Sequence, residues 1–211
     1  INYQRNFYNQ LGFRKIWQTQ EDCVEFDEDL IYIPKIGKCF FNNPEFKTEL
    51  NFSDNGRETG NDLVGNNKGI AVIGDSMAMG WGVNDNQTFA ALLEKEAKIK
   101  VYNLAVSSYA TERSLIRLKK SNLLDKIDTV IIQYCPNDYG ENLLHSQKKE
   151  LNTSQKKYET MLSEQMSTLK VLRKIFRYSL IIPFEAITFK KDQLSWIGHD
   201  VLFEEIIKKY D

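Results

Sequence analysis

The chain is poor in histidine and has no excess of charge. Two histidines stand among 211 residues, and 28 Lys and Arg against 29 Asp and Glu leave a formal charge of −1. So even a balance gives no electrostatic footprint for nucleic acid or an anionic membrane surface, and neither is expected as a partner. The three cysteines and two histidines fall at no zinc-ligand spacing, and no metal or cofactor is expected. No apolar run approaches the ~20 residues that span a bilayer, so no membrane contact is expected of this chain. No signal-peptide pattern is present. The chain begins at Ile1 rather than Met, and the expectation is a processed product or a piece of a longer protein, with room for a targeting segment ahead of it. No glycine-rich turn is followed by Gly-Lys-Ser/Thr, which removes the phosphate-cradling loop. The G-x-S-x-G elbow also fails, because residue 78 is Ala.

What is there is a globular composition, 42% hydrophobic and 27% charged, long enough for one sizeable core. The three cysteines divide unevenly. Cys23 and Cys39 flank VEFDEDLIYIPKIGK, in which Pro34 and Gly37 can turn two extended pieces back on each other and bring the thiols together. A bridge there implies an oxidising compartment, whereas two separate thiols suit the cytosol; spacing alone leaves both open. Cys135 ends an apolar run and reads as a small buried hydrophobe.

Residues 1–45 are aromatic and irregular, with short extended pieces such as LIYIP and KCFF, and read as an N-terminal extension packed on the core. Residues 46–68 are dense in Asn, Asp and Gly and read as loop. GIAVIG then forms a continuous apolar run, the pattern of a parallel strand covered on both faces. QTFAALLEKEAK places Phe89, Leu92 and Leu93 at helical spacing. VYNLAV reads as a second strand, TERSLIRLKKSNLL as an amphipathic helix, and DTVIIQYC as a third buried strand. Strands alternating with helices predict βαβ units and a parallel sheet. After Glu141 the pattern turns helical and polar. Met161, Met166, Leu169, Leu172, Ile175 and Phe176 share a face that reads as core packing, SLIIPFEAITF is a weak strand candidate, and HDVLFEEIIKKY reads as a short amphipathic helix.

In an open parallel sheet, ligands bind outside the carboxyl ends of the strands. All three strong strands end in small or polar residues: Gly74, Asp75 and Ser76; Ser107 and Ser108; Pro136, Asn137 and Asp138. Acyl transfer needs a nucleophilic hydroxyl, a base and donors for the developing oxyanion. Ser76 offers the hydroxyl and its own N–H, Ser108 an N–H, and Asn137 a side-chain amide. Asp75 and Asp138 are expected to support the turns that carry them.

GDS at 74–76, VYNLAVSSYAT at 101–111 and PNDYGEN at 136–142 together resemble the SGNH hydrolases, the GDSL esterase and lipase family. NFSDNGRE resembles the loop preceding the GDS strand in an exported branch of that family. The resemblance implies a flavodoxin-like three-layer α/β/α sandwich with a parallel sheet over residues 46–211, with Ser76 as nucleophile. It also implies an oxyanion hole from the Ser76 N–H, Ser108 and the Asn137 amide. The family usually has Gly where this chain has Ser108 and Cys135.

The family's base is a histidine in an Asp-x-x-His pattern near the C-terminus, which is absent here. His145, on an expected helix after the Asn-Asp segment, reads as a surface residue. His199 is late enough in the chain to serve, although Trp196 stands three residues before it. Five strands are usual for such a sheet, and only three are strong. The expectation is therefore that residues beyond Asp211 carry two further strands and the Asp–His pair. The implied activity is hydrolysis of a small O-acyl ester, acetyl on a carbohydrate, with a small-molecule or glycan ester as partner and export as the location. An O-acyltransferase using the same site, and a non-catalytic glycan-binding or assembly protein, are the alternatives.

Overall fold

The computed structural model describes residues 15–61, 63, 68–147, 154–165 and 204–208. Its centre is a six-stranded mixed sheet in the order β3 (Gly37–Asn43), β4 (Phe46–Ser53), β5 (Gly56–Arg57), β7 (Val101–Asn103), β6 (Gly69–Ile73) and β8 (Ile127–Ile132). The parallel part is made by β6 (Gly69–Ile73), β7 (Val101–Asn103) and β8 (Ile127–Ile132), with β6 in the middle. Their connections are helical: α1 (Ser76–Met79) and α2 (Phe89–Ala97) follow β6, and α3 (Thr111–Lys120) follows β7. Alternation along β6 sends its side chains to two cores. Val72 packs with Val101, Met79 and Ala90 on one face, while Ala71 and Ile73 pack with Leu115, Leu118 and Ile206 on the other.

The sheet is mixed, a correction to the parallel sheet that the sequence pattern predicts. β3 (Gly37–Asn43), β4 (Phe46–Ser53) and β5 (Gly56–Arg57) extend it antiparallel, with Arg57 of β5 opposite Asn103 of β7. Residues 46–57, expected as loop, are therefore mostly strand. Thr48, Leu50 and Phe52 alternate inward, and Asp54 and Asn55 make the tight turn into β5. The expected irregular extension is likewise largely strand. β1 (Val24–Asp27) and β2 (Ile31–Pro34) form a separate hairpin. The hairpin turn lies at 28–30, before Ile31, rather than at Pro34 and Gly37.

Two further expectations are corrected. α2 packs through Ala90, Ala91, Glu94 and the partly buried Leu93, while Phe89 and Leu92 are exposed. Small alanines let the helix approach β7 closely. The Glu94 carboxylate is occupied by the Val101 N–H at 2.7 Å, the Thr59 hydroxyl at 2.6 Å and the Lys100 ammonium at 3.3 Å. β8 is not a buried strand: Asp128, Thr129 and Val130 are exposed, because among the described residues β8 is the sheet edge.

Beyond β8 come α4 (Asp138–Gln147) and α5 (Gln155–Gln165). Tyr158 of α5 is buried against Phe26 and Tyr32, whereas Met161 is exposed. Residues 204–208 are helical. The Met166 to Phe176 face and SLIIPFEAITF lie outside the described residues. No described helix is long and apolar enough to cross a membrane.

Candidate functional site

β6 is the central parallel strand, so the turn that leaves it lies between the turns leaving β7 and β8. Val106 N–H donates to the Gly74 carbonyl at 3.1 Å and Gln133 N–H to the Ile73 carbonyl at 3.0 Å, carrying the alignment past the strand ends. Ser76 is thus flanked by the loop bearing Ser108 and the loop bearing Asn137.

The turn itself is built from Gly74, Asp75 and Ser76. Gly74 has φ 150, and a Cβ there would come within 2.8 Å of the Gln133 carbonyl, so the close approach of β8 requires glycine. Asp75 caps the four-residue helix α1, its Oδ1 accepting from Met77 N–H at 2.8 Å. Gln133 Oε1 accepts from the N–H groups of Asp75 at 3.3 Å and Ala78 at 3.2 Å. Below the helix, fully buried Arg57 donates to the carbonyls of Met79, Gly80 and Val83 and to Asp85 Oδ1, all at 2.7–2.8 Å. Burial lowers its pKa, opposed by Asp85.

Ser76 is half-buried at the start of α1. Ser108 and Asn137 are exposed. Among the described residues, no acceptor takes the N–H of Ser76, the N–H of Ser108 or the Asn137 amide, and the Ser76 hydroxyl has no hydrogen-bond partner. Three donors and one hydroxyl are left uncommitted along one rim. Ser108 has φ 63, a left-handed conformation that costs an L residue about 1–2 kcal/mol. That is a conformation glycine adopts freely.

Asp138 is buried, and its Oδ2 accepts from Cys135 N–H at 3.1 Å, closing the turn after β8. Burial pushes its carboxyl from 3.8 up to about 7; Asp75 and Glu141 add to the rise, while the Cys135 N–H and Arg113 oppose it. Cys135 is half-buried and free rather than a core hydrophobe, its thiol raised by burial and by the neighbouring Asp75. Cys23 and Cys39 are joined in a disulfide with Cα atoms 5.3 Å apart, tying the hairpin to β3. His199 lies outside the described residues, and His145 falls in α4.

Sequence reasoning passed over Gln133, Arg57 and Arg113. Gln133 had a visible signal, a lone amide breaking an apolar run. Arg57 and Arg113 had none, because the partners of Arg57 lie 22–28 residues away and the Glu141 that pairs with Arg113 lies 28 away.

No family model matches the chain, and no curated protein matches it. Among solved structures, a mutant form of the esterase AlinE4 is 26% identical over 37% of this chain and 46% of its own, with a TM-score of 0.32. The chain thus spans less than half of that esterase, a likeness too low to carry an argument about fold or activity.

Proposed function

We propose that this chain is a serine-dependent esterase of the SGNH type, with a flavodoxin-like core, acting on a small O-acyl ester such as acetyl on a carbohydrate. The observation that carries the reading is the central-strand serine flanked by uncommitted donors from both neighbouring strand ends. Turn chemistry explains one polar strand end; it does not explain three aligned ones with free hydrogen-bonding capacity.

In this mechanism the Ser76 Oγ attacks the acyl carbon as a base takes its proton. The carbonyl oxygen becomes an oxyanion that accepts from the Ser76 N–H, the Ser108 N–H and the Asn137 amide. Collapse expels the alcohol and leaves an acyl-enzyme, which water hydrolyses by the same steps. His199 is the proposed base within this chain. Asp75 and Asp138 act by fixing the turns rather than by proton transfer. The Cys23–Cys39 disulfide supports an exported location, periplasmic or extracellular.

The test is the intact mass of the chain after treatment with a fluorophosphonate, with Ser76→Ala as control. One adduct on the wild type and none on the variant is expected. An unlabelled wild type overturns an active esterase within residues 1–211 and favours a glycan-binding role.

A further inference from the structure

The conformation of Ser108 is held from outside its own loop. The phenol of Tyr32, in β2 of the N-terminal hairpin, donates to the Ser107 carbonyl at 2.7 Å. The Arg113 guanidinium, one turn into α3, donates to the Ser108 carbonyl. These carbonyls belong to the two peptide units on either side of Ser108, so the pair fixes both planes that define its φ and ψ. The Ser107 carbonyl shares a planar trans peptide with the Ser108 N–H, which points the opposite way. A donor on that oxygen therefore sets the direction of the N–H and, by polarising the peptide, makes it a stronger donor.

The brace is itself well anchored. Arg113 pairs with Glu141 of α4, and its guanidinium lies over the rings of Tyr109 at 4.6 Å and Tyr32 at 5.5 Å. The Tyr109 hydroxyl donates to the Tyr32 carbonyl, and the Tyr32 and Tyr109 rings meet edge to face at 5.5 Å. The hairpin carrying Tyr32 is tied to the main sheet through Cys23 and Cys39.

We infer that Tyr32 is a positioning residue for the oxyanion hole, aiming and polarising the Ser108 N–H through the carbonyl of the same peptide, with Arg113 fixing the next peptide. This rests on the esterase reading above, and it gives the N-terminal hairpin a part in catalysis.

The experiment compares wild type, Tyr32→Phe and Thr48→Val by hydrolysis of p-nitrophenyl acetate and by hydrogen exchange across residues 104–110. Thr48→Val removes a buried hydroxyl of β4 that donates to the Phe41 carbonyl, outside the Tyr32, Tyr109 and Arg113 brace, so it reports the effect of packing and stability alone. Tyr32→Phe is expected to lower kcat about 10-fold with KM within about twofold, part of what loss of a whole oxyanion donor costs. It should also speed exchange in 104–110 while 69–73 stays protected. Thr48→Val should retain most of kcat. An unchanged kcat in Tyr32→Phe, or an equal loss in both variants, overturns the positioning role. A wild type without Ser76-dependent turnover fails the esterase reading and takes the positioning role with it. That failure is visible before any substitution, so it is not confused with one confined to Tyr32.

Discussion

Asn137 and Ser108 contribute to the proposed hole in different ways, one through a side chain and one through the backbone, and their substitutions separate accordingly. Asn137 is exposed and its amide supports nothing in the fold, so Asn137→Ala should lower kcat about 10²-fold and leave the unfolding midpoint unchanged. Steady-state ester hydrolysis beside a thermal melt checks both halves. Ser108→Gly keeps the N–H and relieves the left-handed strain, offset by about 0.5–1 kcal/mol of glycine backbone entropy. A rise in Tm of about 1–3 °C is expected; a fall would mean that the serine side chain itself stabilises the loop. Asp138 gives a pH signature. Its folded carboxyl holds a proton up to about 7 from an ordinary 3.8, so between those values the folded state binds more protons than the unfolded one. Stability therefore falls as pH rises through that window. Asp138→Asn can still accept from Cys135 N–H but cannot ionise, so its urea midpoint should gain on the wild type between pH 4.5 and pH 8. Parallel curves would remove Asp138 as the source.

At the scale of elements, the parts legible in the sequence were those whose cause is local. β6, α2, β7, α3 and β8 follow from apolar periodicity, and the three polar strand ends follow from where each run stops. β4 was hidden because the Asn, Asp and Gly of its turn outweighed an alternation of Thr48, Leu50 and Phe52 that was there to be read. The inward face of α2 was hidden because a buried Glu94 makes sense only once Thr59 and the Val101 N–H are known to meet it. The brace on Ser108 was hidden for the same reason, since Tyr32 lies 75 residues from Ser107. The hairpin that supplies Tyr32 is held by a covalent tie, and that tie is countable. Thiol titration of the denatured, unreduced chain should find one cysteine, Cys135; three would dismiss the bridge. Replacing Cys23 and Cys39 together with Ala should cost about 2–4 kcal/mol in urea unfolding, the range for closing a loop of this size.

For the whole molecule the question is whether the N-terminal part is an accessory to the α/β core or a component of it. The expected border at 45/46 falls in the turn between β3 and β4, strands paired along their full length from Gly37–Phe52 to Asn43–Phe46. Trp17, Cys23, Tyr32 and Phe41 share one buried cluster with Val72, Met79 and Val101, the residues beneath the Ser76 turn. Trp17 meets Phe41 edge to face at 5.4 Å and Phe52 at 5.9 Å. A chain beginning at Phe46 would expose the inner face of β4, strip the edge pairing from it and remove Tyr32 from Ser107. Each large side chain lost from a core of this kind costs about 2–5 kcal/mol, and several are lost together against a total stability of about 5–15 kcal/mol. Such a chain should keep helical far-UV circular dichroism while losing near-UV signal and binding ANS, the behaviour of a collapsed but unpacked state. A chain from Phe46 that instead melts cooperatively and retains fluorophosphonate labelling at Ser76 would show that the hairpin and β3 are dispensable, and that the serine turn is held by the parallel strands alone.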